Sequence, residues 1–238
     1  MHESFIRTSI TSEMDKACQA CVSLGSGIDN YTLKDYMFQS LLLRLTGFEE
    51  QKLKCICWDM ATVDFEYRRH LLNNDDRLGE YSSLDAKSKI YSALRALITR
   101  LEGIPFDINN YINKGQIAKS AKNEVETIFN KTSFYYWAER EYKSFSYNKS
   151  LFKPCHFANE GLFEECFTNV YNKLYMMRNS IAHNTSSYQE NIPAFKKLLI
   201  LDTVEDNYFT WFATLNLIDK IFTEMYFVYI DKYKIMSY

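Results

Sequence analysis

The chain has 238 residues, 47% of them apolar, which is enough to enclose a sizeable core without a metal or disulfide framework. Only 7 Gly and 3 Pro are present, too few for a sheet-rich fold with frequent sharp turns, so an all-α architecture is expected. A formal charge of −2 excludes the strongly basic footprint of a general nucleic-acid binder, and any attraction to phosphate must be local.

The N-terminal stretch scatters Glu3, Arg7, Glu13, Asp15 and Lys16 among short apolar groups and leaves no uninterrupted signal-peptide core. His2 falls in a terminus expected to be loose. From Thr32 to about Leu45, the residues Leu33, Met37, Leu41 and Leu45 recur at helical spacing, and Gly47 either ends that helix or is carried through it. A second pattern then places Phe48, Ile56, Met60, Val63 and Tyr67 on one broad face, with charges filling the other. The "RRH" that ends at His70 reads as a solvated face, and "NNDDRLGE" as a polar loop. Ser83 is a plausible N-cap for a helix through Ile90, Leu94, Leu97 and Leu101 that stops near Gly103 and Pro105.

Between Ile104 and Pro154 the helical signal weakens, and residues 104–154 read as an insertion or excursion within the bundle. Here Tyr135, Tyr136, Trp137 and Tyr142 interleave with Arg140, Lys143 and Lys149. As a stacking platform for single-stranded RNA, the stretch would use Tyr136, Trp137, Arg140 and Lys143. The reading favoured by the usual burial of aromatics is a helix that packs its rings on the bundle and keeps its cations wet. His156 follows Pro154 in a connector. Strong periodicity returns in Leu162, Phe163, Cys166, Phe167, Val170, Leu174 and Met177. A loop is expected from Asn184 to Pro193, and a long closing helix from about Asp206 to Tyr233.

No repeat or low-complexity linker divides the chain, so a single domain over 1–238 is the simplest organisation. The C-terminal apolar run is broken by Asp219, Lys220 and Glu224, which argues against a membrane span. A cytoplasmic chain with free thiols is therefore expected. The Cys18/Cys21, Cys55/Cys57 and Cys155/His156 pairings are incomplete as metal knuckles, and Cys55 and Cys57 would point to nearly opposite faces of a helix. Neither a metal nor another cofactor is expected.

The chemistry concentrates in "LYMMRNSIAHNTSS", residues 174–187. Cleaving RNA without a metal needs a base for the ribose 2′-OH, an acid for the leaving 5′-oxygen and positive charge at the phosphate. Histidine and arginine supply these, and Asn179 adds a neutral donor and acceptor. Asn179 and His183 share a helix face, whereas Arg178 and His183 diverge by roughly 140° on an ideal helix. Either the helix ends near His183 and redirects it, or a second copy completes the site across a two-fold axis. The structural alternative pairs Arg178 with an acidic neighbour such as Glu164 or Glu165, with His183 and Asn184 simply ending the helix.

"MMRNSIAHN" closely resembles the signature of the HEPN superfamily, whose nucleases carry an Arg, a following polar residue and a His a few residues on, near a helix end. The match covers Arg178, Asn179, Ile181, Ala182, His183 and Asn184, and the order of surrounding helices, with a long final one, is also similar. The resemblance implies an all-helical bundle that dimerises with its motifs facing, and a metal-independent endoribonuclease acting on single-stranded or loop RNA. His183 would be the acid or base, Arg178 the phosphate and transition-state stabiliser, Asn179 the orienting residue and Asn184 a further RNA contact. Many members act in toxin–antitoxin or anti-phage systems, which implies a cognate inhibitor or sensor protein, and some members only bind RNA or protein. The toxin branch paired with nucleotidyltransferase antitoxins has a Tyr two residues after the His. Thr185 stands there in this chain, which weakens any link to that branch and its AMPylation.

Overall fold

The computed structural model describes residues 2–21, 27, 31–73, 80–132, 138–183 and 206–236. Most of these residues are helical, and among them the only β-pairing is an isolated antiparallel bridge between Phe157 and Phe163. None of the described helices is long and apolar enough to cross a membrane.

The helices are α1 (Glu3–Arg7), α2 (Ile10–Ala20), α3 (Tyr31–Val63), α4 (Phe65–Asn73), α5 (Leu84–Glu102), α6 (Lys114–Phe129), α7 (Glu139–Tyr147), α8 (Glu165–His183) and α9 (Tyr208–Met236). Helix α9 is the axis of the bundle. Its residues from Phe209 through Ile218 are buried without interruption, as expected of a helix that is apolar on every side. It packs on α3, α5 and α6, with α2, α7 and α8 at its flanks. Two apolar clusters stack along it. One holds Phe38, Phe129, Phe209 and Phe212 in edge-to-face and stacked contacts, and the other holds Leu53, Ile56, Leu94, Ile98, Ile221 and Met225.

The local signals for α5 are those read from sequence. Ser83 Oγ accepts the Ala86 N–H at 3.2 Å, and the helix stops at Gly103, whose φ of 71° lies in the left-handed region. Helix α3 runs straight through Gly47, joining two periodic segments that were separable by pattern alone. The break comes instead at Asp64, whose carboxylate accepts the Tyr67 N–H at 2.7 Å and starts α4. His2, expected in a loose terminus, is tied down: its Nδ1 lies 2.7 Å from Asp59 Oδ1. His70 and its neighbours Arg68 and Arg69 are exposed.

Residues 104–154, read as an insertion or excursion, hold α6, one of the principal partners of α9. Asn216 Nδ2 donates to Ala121 O at 3.1 Å across that contact, and Val125, Ile128 and Phe129 enter the aromatic cluster. The weak periodicity has a physical reason: α6 is short and faces α9 through alanines as much as through large side chains.

A layer of charge lies where the two apolar clusters meet. Lys52 Nζ sits 2.5 Å from Asp219 Oδ1 and donates to Thr8 O at 2.7 Å, while Asp219 Oδ2 accepts the Ile10 N–H at 3.1 Å. These bonds satisfy the backbone at the elbow between α1 and α2. Beside them, Lys87 Nζ lies 3.1 Å from Glu49 Oε2 and donates to Tyr81 O at 2.8 Å. All four charged side chains are nearly inaccessible to water, and burial pushes the carboxyls of Glu49 and Asp219 up, to about 7 for Glu49.

Candidate functional site

Helix α8 carries the motif at its C-terminal end. Its inner face is Phe167, Val170, Tyr171 and Leu174, fully buried, followed by Met177 and Ile181, half-buried against the aromatic cluster. The 3.6-residue repeat then leaves Asn172, Met176, Asn179 and His183 along the outer face. Asn172, Met176 and His183 are exposed and Asn179 is half-buried. Arg178 lies at the rim of the inner face. Seven residues beyond Tyr171, it lies on the edge turned toward α3.

That edge is electrostatically built. Arg178 Nη1 donates to Asn179 Oδ1 at 2.9 Å, and Nη2 lies 3.7 Å from Glu50 Oε2 on α3. The Nε atom is buried and has no hydrogen-bond partner among the described residues. The guanidinium is thus oriented by one neutral and one acidic side chain and still has donor capacity to spare. Tyr171 lies two turns earlier on the same edge, and its hydroxyl donates to Ser82 O at 2.6 Å. Burial, reinforced by Glu49 and Glu50, pushes that phenol well above its ordinary range and keeps it a neutral donor.

Arg178 pairs with Glu50, from a helix more than a hundred residues earlier, and not with Glu164 or Glu165, the partners suggested by sequence proximity. Glu50 is the member of the site that pattern reading missed. It stands in an unremarkable acidic doublet within α3, and only the packing of α3 on α8 brings it to the motif.

Asn179 stands between the other two motif residues: it accepts from Arg178 and lies one helical turn before His183, on the same face. His183 is the last residue of α8 and is open to solvent. Arg178 and His183 are separated by roughly 7.5 Å of helical rise as well as by angle, so one chain does not focus both on one atom.

Among the further RNA contacts expected from sequence, Tyr136, Trp137 and Asn184 lie outside the described residues. Arg140 and Lys143 are exposed on α7, where Lys143 Nζ pairs with Glu139 Oε1 at 2.5 Å. The described aromatics of that stretch divide: Phe145 is buried, and Tyr142 stacks edge-on against Phe209 while its hydroxyl donates to Asn130 Oδ1 at 2.8 Å, whereas Tyr147 is exposed. Cys18, Cys21, Cys55 and Cys57 are buried thiols, and no group of three or more His, Cys, Asp or Glu side chains gathers at metal-binding range among the described residues. Comparison with protein-family models, with curated proteins and with solved structures returns no match to this chain.

Proposed function

We propose that the chain is a HEPN-type endoribonuclease that works as a homodimer and cleaves single-stranded or loop RNA without a metal. The observation that carries this reading is the Arg178–Asn179–His183 arrangement. An arginine with an unused buried donor is braced by Glu50 and Asn179, and a histidine stands open to solvent one turn beyond the asparagine. His183 takes the proton of the ribose 2′-OH or delivers one to the leaving 5′-oxygen, and Arg178 holds the phosphate oxygens and the charge that builds on them. The products are a 2′,3′-cyclic phosphate, or its hydrolysed form, and a 5′-hydroxyl. Because one helix cannot aim both groups at the same phosphate, the second copy supplies the missing partner. Met176 favours such a seam, since it is 67% exposed on the same helix face as His183. By family resemblance, the setting is a toxin–antitoxin or anti-phage system with a cognate inhibitor or sensor.

Glu50 also favours a second reading, a non-catalytic HEPN-like module that binds RNA or protein. Its carboxylate sits where a phosphate oxygen would approach Arg178, and the chain as a whole is slightly acidic. The two are separated by incubating RNA with the protein in excess chelator and comparing wild type with His183→Ala. The enzyme reading expects cleavage that survives chelation, disappears in the variant, and fails on RNA with a 2′-deoxy or 2′-O-methyl sugar at the cut position. Arg178→Lys should not restore activity, because an ammonium lacks the two-pronged contact to phosphate. RNA bound but left intact by the wild type would favour the binding module.

A further inference from the structure

Residues 156–164 form a tight hairpin that leads into α8. Around the Phe157–Phe163 bridge, the Ala158 N–H donates to Leu162 O at 2.8 Å and the Glu164 N–H donates to His156 O at 2.9 Å. Bonds in that pattern bracket a narrow pair of the antiparallel ladder, in which opposite Cα atoms are about 4.5 Å apart. Just beyond the last bonded residues, 156 and 164, each arm carries a cysteine. Cys155 is in the one-turn helix Pro154–His156, and Cys166 is in the first turn of α8. Cys155 is exposed and Cys166 half-buried. Cys155 is within electrostatic reach of both Cys166 and the Lys114 ammonium, and burial pushes the Cys166 thiol up against the opposing pull of the Phe167 and Cys166 N–H groups. The hairpin therefore brings two thiols from separate arms to its open end, beside the first turn of α8.

We infer that Cys155 and Cys166 are a redox-active thiol pair that a hydroperoxide converts to a disulfide. Cys155, the open thiol, attacks as thiolate the terminal oxygen of the hydroperoxide. The O–O bond breaks, the alcohol or water leaves with a proton, and Cys155 becomes a sulfenic acid. The Cys166 sulfur then attacks Cys155 Sγ. The S–S bond forms, the S–O bond breaks, and hydroxide departs with the Cys166 proton as water. Two electrons and two protons pass from the thiols to the peroxide. A disulfide needs Cα atoms about 4.4–6.8 Å apart, and the single turn Pro154–His156 and the first turn of α8 are the places where the backbone can adjust to that span. The other described thiols are poor competitors: Cys18, Cys21, Cys55 and Cys57 are all buried, and burial pushes the Cys18 thiol up to about 12. The disulfide would fasten the hairpin to the start of the helix whose far end carries Arg178 and His183. The chemistry itself is independent of the ribonuclease reading.

The test treats the full chain with hydrogen peroxide, blocks remaining thiols with iodoacetamide, and follows intact mass and peptide mapping. The expected result is loss of two hydrogens, a cross-linked peptide pair containing Cys155 and Cys166, and full reversal by dithiothreitol. In Cys166→Ser, Cys155 should instead accumulate as a sulfenic acid that dimedone captures, and in Cys155→Ser the cross-link should vanish. The inference is overturned by a cross-link between Cys18 and Cys21 in its place, by covalent dimers through Cys155, or by dimedone capture of Cys155 in the wild type with no internal cross-link.

Discussion

Glu49 and Glu50 are neighbours on α3, yet they belong to two opposite kinds of charged region. Glu49 points into the junction between the apolar clusters, where it meets Lys87 and lies beside the Lys52–Asp219 pair, all of them shut off from water. Glu50 points along the edge of α8 to Arg178, at longer range and with some access to solvent. The inner layer uses charge to hold helices together: its lysines also bond Thr8 O and Tyr81 O, so each ion ties a backbone segment as well as a counter-ion. The outer group leaves donor capacity unused on Arg178 and leaves His183 open. Charge shut off from water holds the fold together, and charge at the solvent boundary is available for chemistry.

The largest expected effect tests that division at the outer group. His183→Ala should reduce RNA cleavage by a factor on the order of 10² to 10⁴, the usual contribution of a general acid or base, while the urea midpoint stays at the wild-type value. A variant that loses stability in step with activity would place His183 among the structural residues.

The inner layer should behave the other way. Lys52→Ala or Asp219→Ala leaves the opposite charge buried and alone, at a cost of about 3–5 kcal/mol by denaturant unfolding. Replacing the pair together, as Lys52→Met with Asp219→Leu, should recover much of that loss, because the desolvation penalty disappears with both charges. Glu50→Gln, which loosens a longer pair at the solvent boundary, should cost under about 1 kcal/mol.

Glu49 adds a pH signature to the inner layer. Its carboxyl is held near 7 because burial outweighs the attraction of Lys87, whereas in the unfolded chain it returns to about 4.5. Between those values the folded chain holds a proton that the unfolded chain has released, so stability must fall as pH rises through that window. The loss reaches at most ~3 kcal/mol by pH 7.5, and Asp219, also pushed up by burial, acts in the same direction. Urea midpoints at about pH 5 and 7.5 measure it, and Glu49→Gln should flatten the slope. A midpoint that climbs over the same interval would show that Lys87 dominates instead.

What the sequence makes legible follows the reach of each interaction. Ser83 and Gly103 bracket α5 because capping is decided within one turn, and the periodicity of α8 carries to His183 because its inner face repeats locally. The pairing of Arg178 with Glu50, of Lys52 with Asp219 and of His2 with Asp59 spans between 57 and 167 positions, and no local pattern encodes it. Likewise, buried lysines look like surface lysines until the elbow carbonyl of Thr8 and the backbone of Tyr81 are seen to need donors. Arg178, Asn179 and His183 stand out in the sequence through their chemistry and the resemblance of their motif, but the brace that orients the arginine does not.

Gly47 offers the smallest and sharpest probe, because it sits in the middle of α3 just ahead of both glutamates without touching either. An added Cβ there meets nothing within 4 Å, and the helix is continuous on both sides. Gly47→Ala should therefore stabilise the fold by about 1 kcal/mol, through better helix propensity and a less free unfolded chain. The same change at Gly103 must act in the opposite direction, since its φ of 71° strains any residue with a Cβ even though the space is open. Thermal unfolding of the two variants gives the signs directly. If α3 is merely a rigid carrier, Gly47→Ala raises the melting temperature and leaves both the pH slope and the RNA-cleavage rate where they were. If instead cleavage drops as the helix stiffens, bending at Gly47 is part of how Glu50 meets Arg178, and the separation between a buried inner layer and an independent outer group fails at that residue.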